Sequence, residues 1–488
     1  MNEPIRRLSV VVLALFLTLM SSASWVQFVK ADQLGQDQRN VRTLYRQFGS
    51  FRGPIVVDGD AIVRSVPVDD PFNYQRIYAN GPLYAPVTGY YSIGPGRSAL
   101  EQTENELLNG SADALFWTRL SELFAGTEQE GASVELTLSA QVQQVAFDAL
   151  GDHRGAVVAL DPRTGAILAM VSKPTYDPST LAVHSTSEAN RIYQSLLADA
   201  DSPLINRAIG GDTYAPGSAF KLVVAAAALK AGYSPDTVIY APQELDLPLT
   251  TATMHNYGGE ACGPTDYITL LEAMQVSCNT AFASLAMDLG WPAIQSAAAD
   301  FGWGSPLSIP LGVTPSRLPD SPNAPQVAQS GIGQFDVRAT PLQLAMVASA
   351  IGNGGVLMTP YLVATVRDPD LRVVERTKPS VLSTPLSADD AAALTVMMQA
   401  VVTSGTGTAA RLDGVSVAGK TGTAETGLGT APHTWFVAFA PAENPVVAVA
   451  VLVENGGDMG DEATGGRVAA PIAREVIEAA IAVQQERN

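Results

Sequence analysis

The sequence predicts an α+β fold, an antiparallel sheet covered by helices, for residues 131–488, and three observations carry that expectation. Residues 156–160 and 166–171 are apolar runs joined by Asp161-Pro162-Arg163-Thr164-Gly165, which reads as a hairpin of two buried strands. Two more apolar runs, 434–440 and 446–453, stand at the far end of the chain around a turn containing Pro441 and Pro445. Helical segments fill the interval between these strand pairs, and a further one closes the chain at 467–483 with apolar residues at helical spacing.

The region opens with residues 134–138, which alternate as a strand, followed by Ser139 as N-cap of a helix reaching Leu150. Ahead of it, residues 30–130 are rich in Gly, Pro, Tyr and Asn. There Arg52-Gly53-Pro54-Ile55-Val56-Val57 reads as a turn and a short strand, and Asn80-Gly81-Pro82 as another turn. Residues 110–131 read as a helix running into a polar linker at 126–130. Nothing in 30–130 looks catalytic.

The first residues carry Arg6 and Arg7 before an apolar run from Leu8 to Met20. Ser21-Ser22-Ala23-Ser24 then fits a cleavable signal peptide. Counted through Val29, the same segment is long enough to span a bilayer, with the arginines on the cytoplasmic side. Either way the bulk of the chain is exported, and no cysteine lies nearby to carry a lipid.

With 488 residues, 47% hydrophobic and 16% charged, the chain is long enough for two or three domains with a large core. Its formal net charge of −19 argues against nucleic acid, because phosphate binding needs clustered Lys and Arg. The four histidines, His153, His184, His255 and His433, show no metal-ligand spacing, so neither metal nor cofactor is expected.

Chemistry concentrates in three short motifs. Of six lysines, only Lys221 has a serine three residues before it, Ser218-Ala219-Phe220-Lys221, and only Lys420 opens a Lys-Thr-Gly triplet. Ser277-Cys278-Asn279 lies between them. The order S-x-x-K, S-x-N, K-T-G is that of serine acyl-transferring enzymes that use lysine as base. Ser218 would start a buried helix after the turn Tyr214-Ala215-Pro216-Gly217, where the positive helix end favours developing negative charge. Lys221 shares its face at i+3, and desolvation lowers a buried lysine's pKa towards that of a neutral base. Taken alone, S-x-x-K is better read as a buried serine with a snorkelling lysine.

Ser277 could relay a proton to the leaving group and Asn279 could hold a substrate amide. Ser321-Pro322-Asn323 also fits S-x-N, but it sits in a proline-rich loop. Lys420 would offer a fixed positive charge to a substrate carboxylate, with Thr421 and Thr423 donating hydrogen bonds to it. Gly422 would let substrate approach the backbone. The backbone N–H groups of Ser218 and Thr423 are the candidate oxyanion hole. Cys262 and Cys278, the only cysteines, would pair in an exported domain; the alternative is two buried free thiols.

Residues 214–221 resemble the Y-x-P-G-S-x-F-K of class B penicillin-binding proteins, and 420–425 resemble that family's K-T-G-T-A-E. Residues 155–178, Ser330-Gly331-Ile332-Gly333-Gln334 and Ala339-Thr340-Pro341-Leu342-Gln343 resemble further stretches of it. Residues 52–55 and Gly94-Pro95-Gly96 match more loosely, and the short N-terminal region is similar to that of the small actinobacterial members. Ala215, where proline is frequent, and Cys278 at the S-x-N centre are the departures.

The resemblance implies a penicillin-binding serine-transpeptidase fold and a peptidoglycan D,D-transpeptidase acting in cell-wall synthesis and cell division. It implies stem peptides as substrate, β-lactams as inhibitors, and a separate RodA/FtsW-type glycosyltransferase as partner, since 30–130 holds no recognisable polymerase motif. It also implies an uncleaved anchor. The expected organisation is a cytoplasmic tail at 1–7, a transmembrane anchor at 8–29, a non-catalytic pedestal at 30–130 and the transpeptidase at 131–488. The rivals are a D,D-carboxypeptidase or β-lactamase, a β-lactam sensor, or a non-catalytic division scaffold. No clear deacylating glutamate supports a β-lactamase, and residues 1–7 leave no room for a signalling module.

Overall fold

The computed structural model describes residues 2–29, 48–126, 129–211, 213–427 and 429–487. The start of the expected pedestal at 30–47, and residues 127–128 of the polar linker, lie outside these. Helix α1 (Asn2–Ser24) continues through a π-helical turn, Trp25–Val29. Within it Glu3–Gln27 has a mean hydropathy of 2.0 and none of it is buried, so it is long and apolar enough to cross a membrane.

The core is a five-stranded antiparallel sheet of β1 (Gly155–Leu160), β2 (Ile167–Lys173), β3 (Ala418–Ala424), β4 (His433–Ala440) and β5 (Val447–Val453). The spatial order is β3-β4-β5-β1-β2. Strands from both ends of the region therefore meet where β5 pairs β1, with Val451 opposite Val157. Both faces are covered, which explains why these antiparallel strands read as continuous apolar runs: every residue of β5 is buried.

Val157, Val449 and Val451 pack with α2 (Ala140–Leu150) and α8 (Ala469–Arg487) on one face. Val158, Ala450 and Leu452 pack on the other face in a larger cluster. That cluster takes in α3 (Lys221–Lys230), α4 (Leu270–Gln275), α5 (Asn279–Leu289), α6 (Pro341–Gly352) and α7 (Ala388–Ser404).

Four local expectations change. Ser139 occupies the N-cap of α2, but its hydroxyl makes no capping bond. Asn80-Gly81-Pro82 is the start of a helix, Gly81–Thr88, rather than a simple turn, and Pro82 presets a helical φ at its second residue. Ser218 lies in a 3-10 turn, Gly217–Phe220, and the α-helix proper begins at Lys221. The strand around Val134 (Ser133–Leu136) joins a second sheet of six strands instead of the core sheet. There it runs parallel to Ile55–Val57 and antiparallel to Val363–Arg367, so this sheet crosses the expected boundary at 130/131.

Candidate active site

The Ser218 turn is held from four sides. Trp435 Nε1 on β4 donates to the Ala215 carbonyl at 3.0 Å. Gly217 N–H donates to the Gly333 carbonyl at 3.0 Å, and Tyr214 N–H to the Ala339 carbonyl at 3.0 Å. Tyr214 hydroxyl donates to Glu454 at 2.7 Å, and Arg207 (2.8 Å) and Arg154 (3.1 Å) clamp the same carboxylate. These cations and the tyrosine hold Glu454 below the usual carboxylate range against its burial.

Gly217 sits at φ 51°, and a Cβ there would come 2.5 Å from the Thr423 carbonyl oxygen. The turn thus presses directly on edge strand β3. Gly422 does the same from the strand's side: its missing Cβ would lie 2.9 Å from both the Pro216 oxygen and Trp435 Cβ. A side chain at Gly422 would therefore press on the nucleophile turn.

Every residue of α3 up to Leu229 is buried, and Lys221 has no exposed surface. Its Nζ donates to the Ser277 carbonyl at 2.7 Å and to Asn279 Oδ1 at 2.8 Å, with Ser277 Oγ at 3.4 Å. Lys420, equally buried, donates to Ser277 Oγ at 2.7 Å and to the Thr421 carbonyl at 3.0 Å. Neither lysine has a carboxylate partner among the described residues. Burial, then the Lys420 charge, pushes Lys221 well below its ordinary value. Burial alone brings Lys420 down to about 7.

Thr421 and Thr423 alternate with Lys420 and Gly422 and share the other face of β3. Thr421 Oγ1 meets Thr406 Oγ1 at 2.7 Å, and Thr423 Oγ1 accepts from Gly465 N–H at 3.4 Å. Ser277 and Cys278 lie in the link between α4 and α5, and Asn279 opens α5; Ser277 is at φ 60°, a left-handed conformation that a serine rarely adopts. A disulfide joins Cys278 to Cys262. Asn279 is already engaged: its Oδ1 takes Lys221, and its Nδ2 donates to the His255 carbonyl at 3.2 Å. Ser321-Pro322-Asn323 is elsewhere engaged, with Asn323 capping the helix Ala324–Gly331.

Asn256 was not singled out by any sequence motif. Its Oδ1 accepts from Asn279 N–H (3.0 Å) and Thr280 N–H (3.1 Å), and so caps α5 in place of Cys278. Nothing local in the sequence marks it, because the contact spans a loop.

Residues 155–478 match the family described as penicillin binding protein transpeptidase domain, and residues 52–134 match the penicillin binding protein A dimerisation domain. The chain is 45% identical to the peptidoglycan D,D-transpeptidase PbpA of Mycolicibacterium smegmatis, over 99% of each chain. It is 44% identical to PbpA of Mycobacterium tuberculosis, again over 99% of each. Its fold resembles penicillin-binding protein A from M. tuberculosis in the ceftriaxone acyl-enzyme complex, with a TM-score of 0.86 and 43% identity over 90% of this chain and 100% of that one. The penicillin G acyl-enzyme complex of the same protein gives 0.85 and 44%, over 88% and 100%. With the serine, the two lysines and the K-T-G strand brought to one place, and likeness of this extent, the chain belongs to the class B penicillin-binding proteins, the peptidoglycan D,D-transpeptidases.

Proposed function

We propose that this protein cross-links peptidoglycan stem peptides through an acyl-enzyme on Ser218, and that β-lactams acylate the same hydroxyl. The observation that carries this reading is the setting of Lys221. A neutral amine has two N–H donors and one lone pair. The Ser277 carbonyl and Asn279 Oδ1 take the two donors, at 2.7 and 2.8 Å. The lone pair is then left to receive the Ser218 proton, one helical turn away.

In this scheme Ser218 Oγ attacks the D-Ala–D-Ala carbonyl. The N–H groups of Ser218 and Thr423 receive the oxyanion, and Thr421 and Thr423 hold the terminal carboxylate beside Lys420. Ser277, bonded to Lys420, relays the proton taken up by Lys221 to the departing D-Ala amine, which leaves Lys221 neutral again. An amine of a neighbouring stem peptide then attacks the ester, and Lys221 takes its proton and returns it to Ser218 Oγ as the acyl–oxygen bond breaks. Asn279 positions Lys221, and its remaining amide N–H is free to reach the substrate backbone. The Cys262–Cys278 bridge pins the link carrying Ser277.

Helix α1 anchors the chain in the membrane with Arg6 and Arg7 on the cytoplasmic side. The region at 30–130 is a pedestal that places the transpeptidase at 131–488 towards the wall and docks a RodA/FtsW-type glycosyltransferase.

Labelling with penicillin followed by mass spectrometry tests the scheme. A long-lived adduct on the Ser218 peptide is expected. An adduct elsewhere, or its release within seconds, would overturn the assignment.

A further inference from the structure

Beyond the Ser218 turn lies a cleft of about 640 Å³ that the mechanism does not use. Thr213, Tyr214, Gln334, Arg317, Arg338, Glu425 and His433 line it. It joins the site on two sides. Tyr214 and Ala215 lead into the nucleophile turn, and Glu425 continues β3 directly past Thr423 and Ala424.

The charges in the cleft are unusual for a chain with a net charge of −19. Arg317, at the surface, is paired with Asp336 at 3.1 Å. Arg338 is half-buried, and among the described residues the only hydrogen bond of its side chain is a long one, 3.5 Å from Nη1 to the Val337 carbonyl. Among the described residues it has no carboxylate partner. Its backbone is fixed by reciprocal 2.9 Å bonds to Arg317, and its carbonyl accepts from Trp303 Nε1 at 3.2 Å. The guanidinium therefore stands on a rigid base with its donors unspent. It also lies close enough to His433 to help burial depress that imidazole's pKa. Exposed Glu425 forms no ion pair with either arginine.

Direction follows from the order of roles along β3, and this step rests on the transpeptidase reading above. Thr421 lies at the carboxylate end of the substrate, Thr423 at the scissile carbonyl and Glu425 at the cleft. A donor peptide added to the edge strand β3 then runs antiparallel to it, with its C-terminus towards Thr421. The residues preceding D-Ala–D-Ala enter the cleft.

We propose that Arg338 forms a subsite for a side-chain carboxylate on the donor peptide, upstream of the D-Ala–D-Ala bond. A guanidinium on a fixed backbone suits bidentate recognition of a planar carboxylate. Gln334 and Thr213 offer neutral hydrogen-bonding groups beside it.

The test is competition against fluorescent penicillin by two N-acetylated tripeptides ending in D-Ala–D-Ala, using the full-length protein. The first residue carries a side-chain carboxylate in one peptide and the matching carboxamide in the other. The acid should slow Ser218 labelling at about tenfold lower concentration than the amide. Arg338→Ala should bring that ratio close to one, and Arg338→Lys should retain part of it, with thermal melting confirming that each variant folds. A ratio near one in the wild type, a preference that survives Arg338→Ala, or no competition by either peptide would overturn the subsite. Failure of penicillin to label Ser218 at all would instead overturn the transpeptidase reading on which the subsite rests.

Discussion

Lys420 Nζ donates to Ser277 Oγ across 2.7 Å, so the lysine of the third motif is docked on the serine of the second. Ser277 Oγ also lies 3.4 Å from Lys221 Nζ. One hydroxyl thus stands between two buried amines that have no carboxylate to balance them among the described residues. Two protonated lysines around one hydroxyl repel, and the arrangement favours having at least one of them neutral.

Acylation should therefore fall as pH drops and the lysine pair takes up protons. In Lys420→Ala burial still depresses Lys221 but the added push of the Lys420 charge is gone, so the Lys221 pKa rises and the acid limb of the rate profile moves to higher pH. An unmoved limb would separate the two lysines electrostatically. Stability follows the same proton balance. Lys420 titrates near 7 when folded, against 10.5 ordinarily, so the unfolded chain binds more protons between those values. Its contribution is complete above 10.5 and is lost as pH falls through about 7, so wild-type stability should rise with pH across that window more than that of Lys420→Ala.

Lys221→Ala should abolish useful acylation, a loss of about a hundredfold to ten-thousandfold for removal of a general base. The far-ultraviolet circular dichroism should be unchanged, because the other residues of α3 remain packed. Stopped-flow labelling with a chromogenic cephalosporin measures it. A wild-type rate would place the base elsewhere.

Gly422→Ala sets a Cβ 2.9 Å from the Pro216 oxygen and from Trp435 Cβ. Neither neighbour can yield cheaply: one is backbone of the Ser218 turn, and the other belongs to a ring hydrogen-bonded to Ala215. A cost of about 1–3 kcal/mol in stability is expected. Acylation should fall further than the loss of folded protein explains, because the turn itself is displaced. Thermal melting and acylation rate, measured on the same sample, separate the two.

Much of this was legible in the sequence where chemistry or burial constrains neighbouring residues. S-x-x-K is one turn of helix, K-T-G is three residues of one strand, and strands covered on both faces leave runs such as 447–453. What links such segments was not legible. Glu454 meets Tyr214 240 residues away and Arg207 247 residues away, and no local pattern signals that carboxylate. The surroundings of Lys420 were not legible either, because a strand lysine in sequence shows nothing of the Ser277 hydroxyl or the burial that awaits it. The approach of Gly422 to Pro216 was equally hidden, because Pro216 lies on a distant segment.

Asn256 is the clearest residue of this hidden kind, and Asn256→Ala tests it. Loss of the Oδ1 acceptor leaves the first N–H groups of α5 uncapped, at a cost of about 1–2 kcal/mol. Asn279 starts that helix, so the acceptor of Lys221 should loosen and acylation should slow. Asn256→Asp keeps the acceptor beside a helix N-terminus and should restore both. If acylation were unaffected in the alanine variant, Asn256 would be a cap and nothing more.

The disulfide is the remaining constraint on the same link. Cys278 lies between Ser277 and Asn279, and its bond to Cys262 closes a loop whose chain-entropy contribution is about 3 kcal/mol. Reduction frees the segment that shapes both the Ser277 relay and the Asn279 contact to Lys221, while the core sheet, formed by residues far from the loop, stays intact. Acylation of Ser218 should therefore slow at reductant concentrations that leave the thermal unfolding transition cooperative. The order of the two losses decides the point: unfolding before any change in acylation would show that the bridge only stabilises the domain. Cys262→Ser with Cys278→Ser should reproduce the slow acylation without reductant. Thiol alkylation of the denatured, unreduced protein should find no free cysteine in the wild type, and two titratable thiols would rule the bridge out.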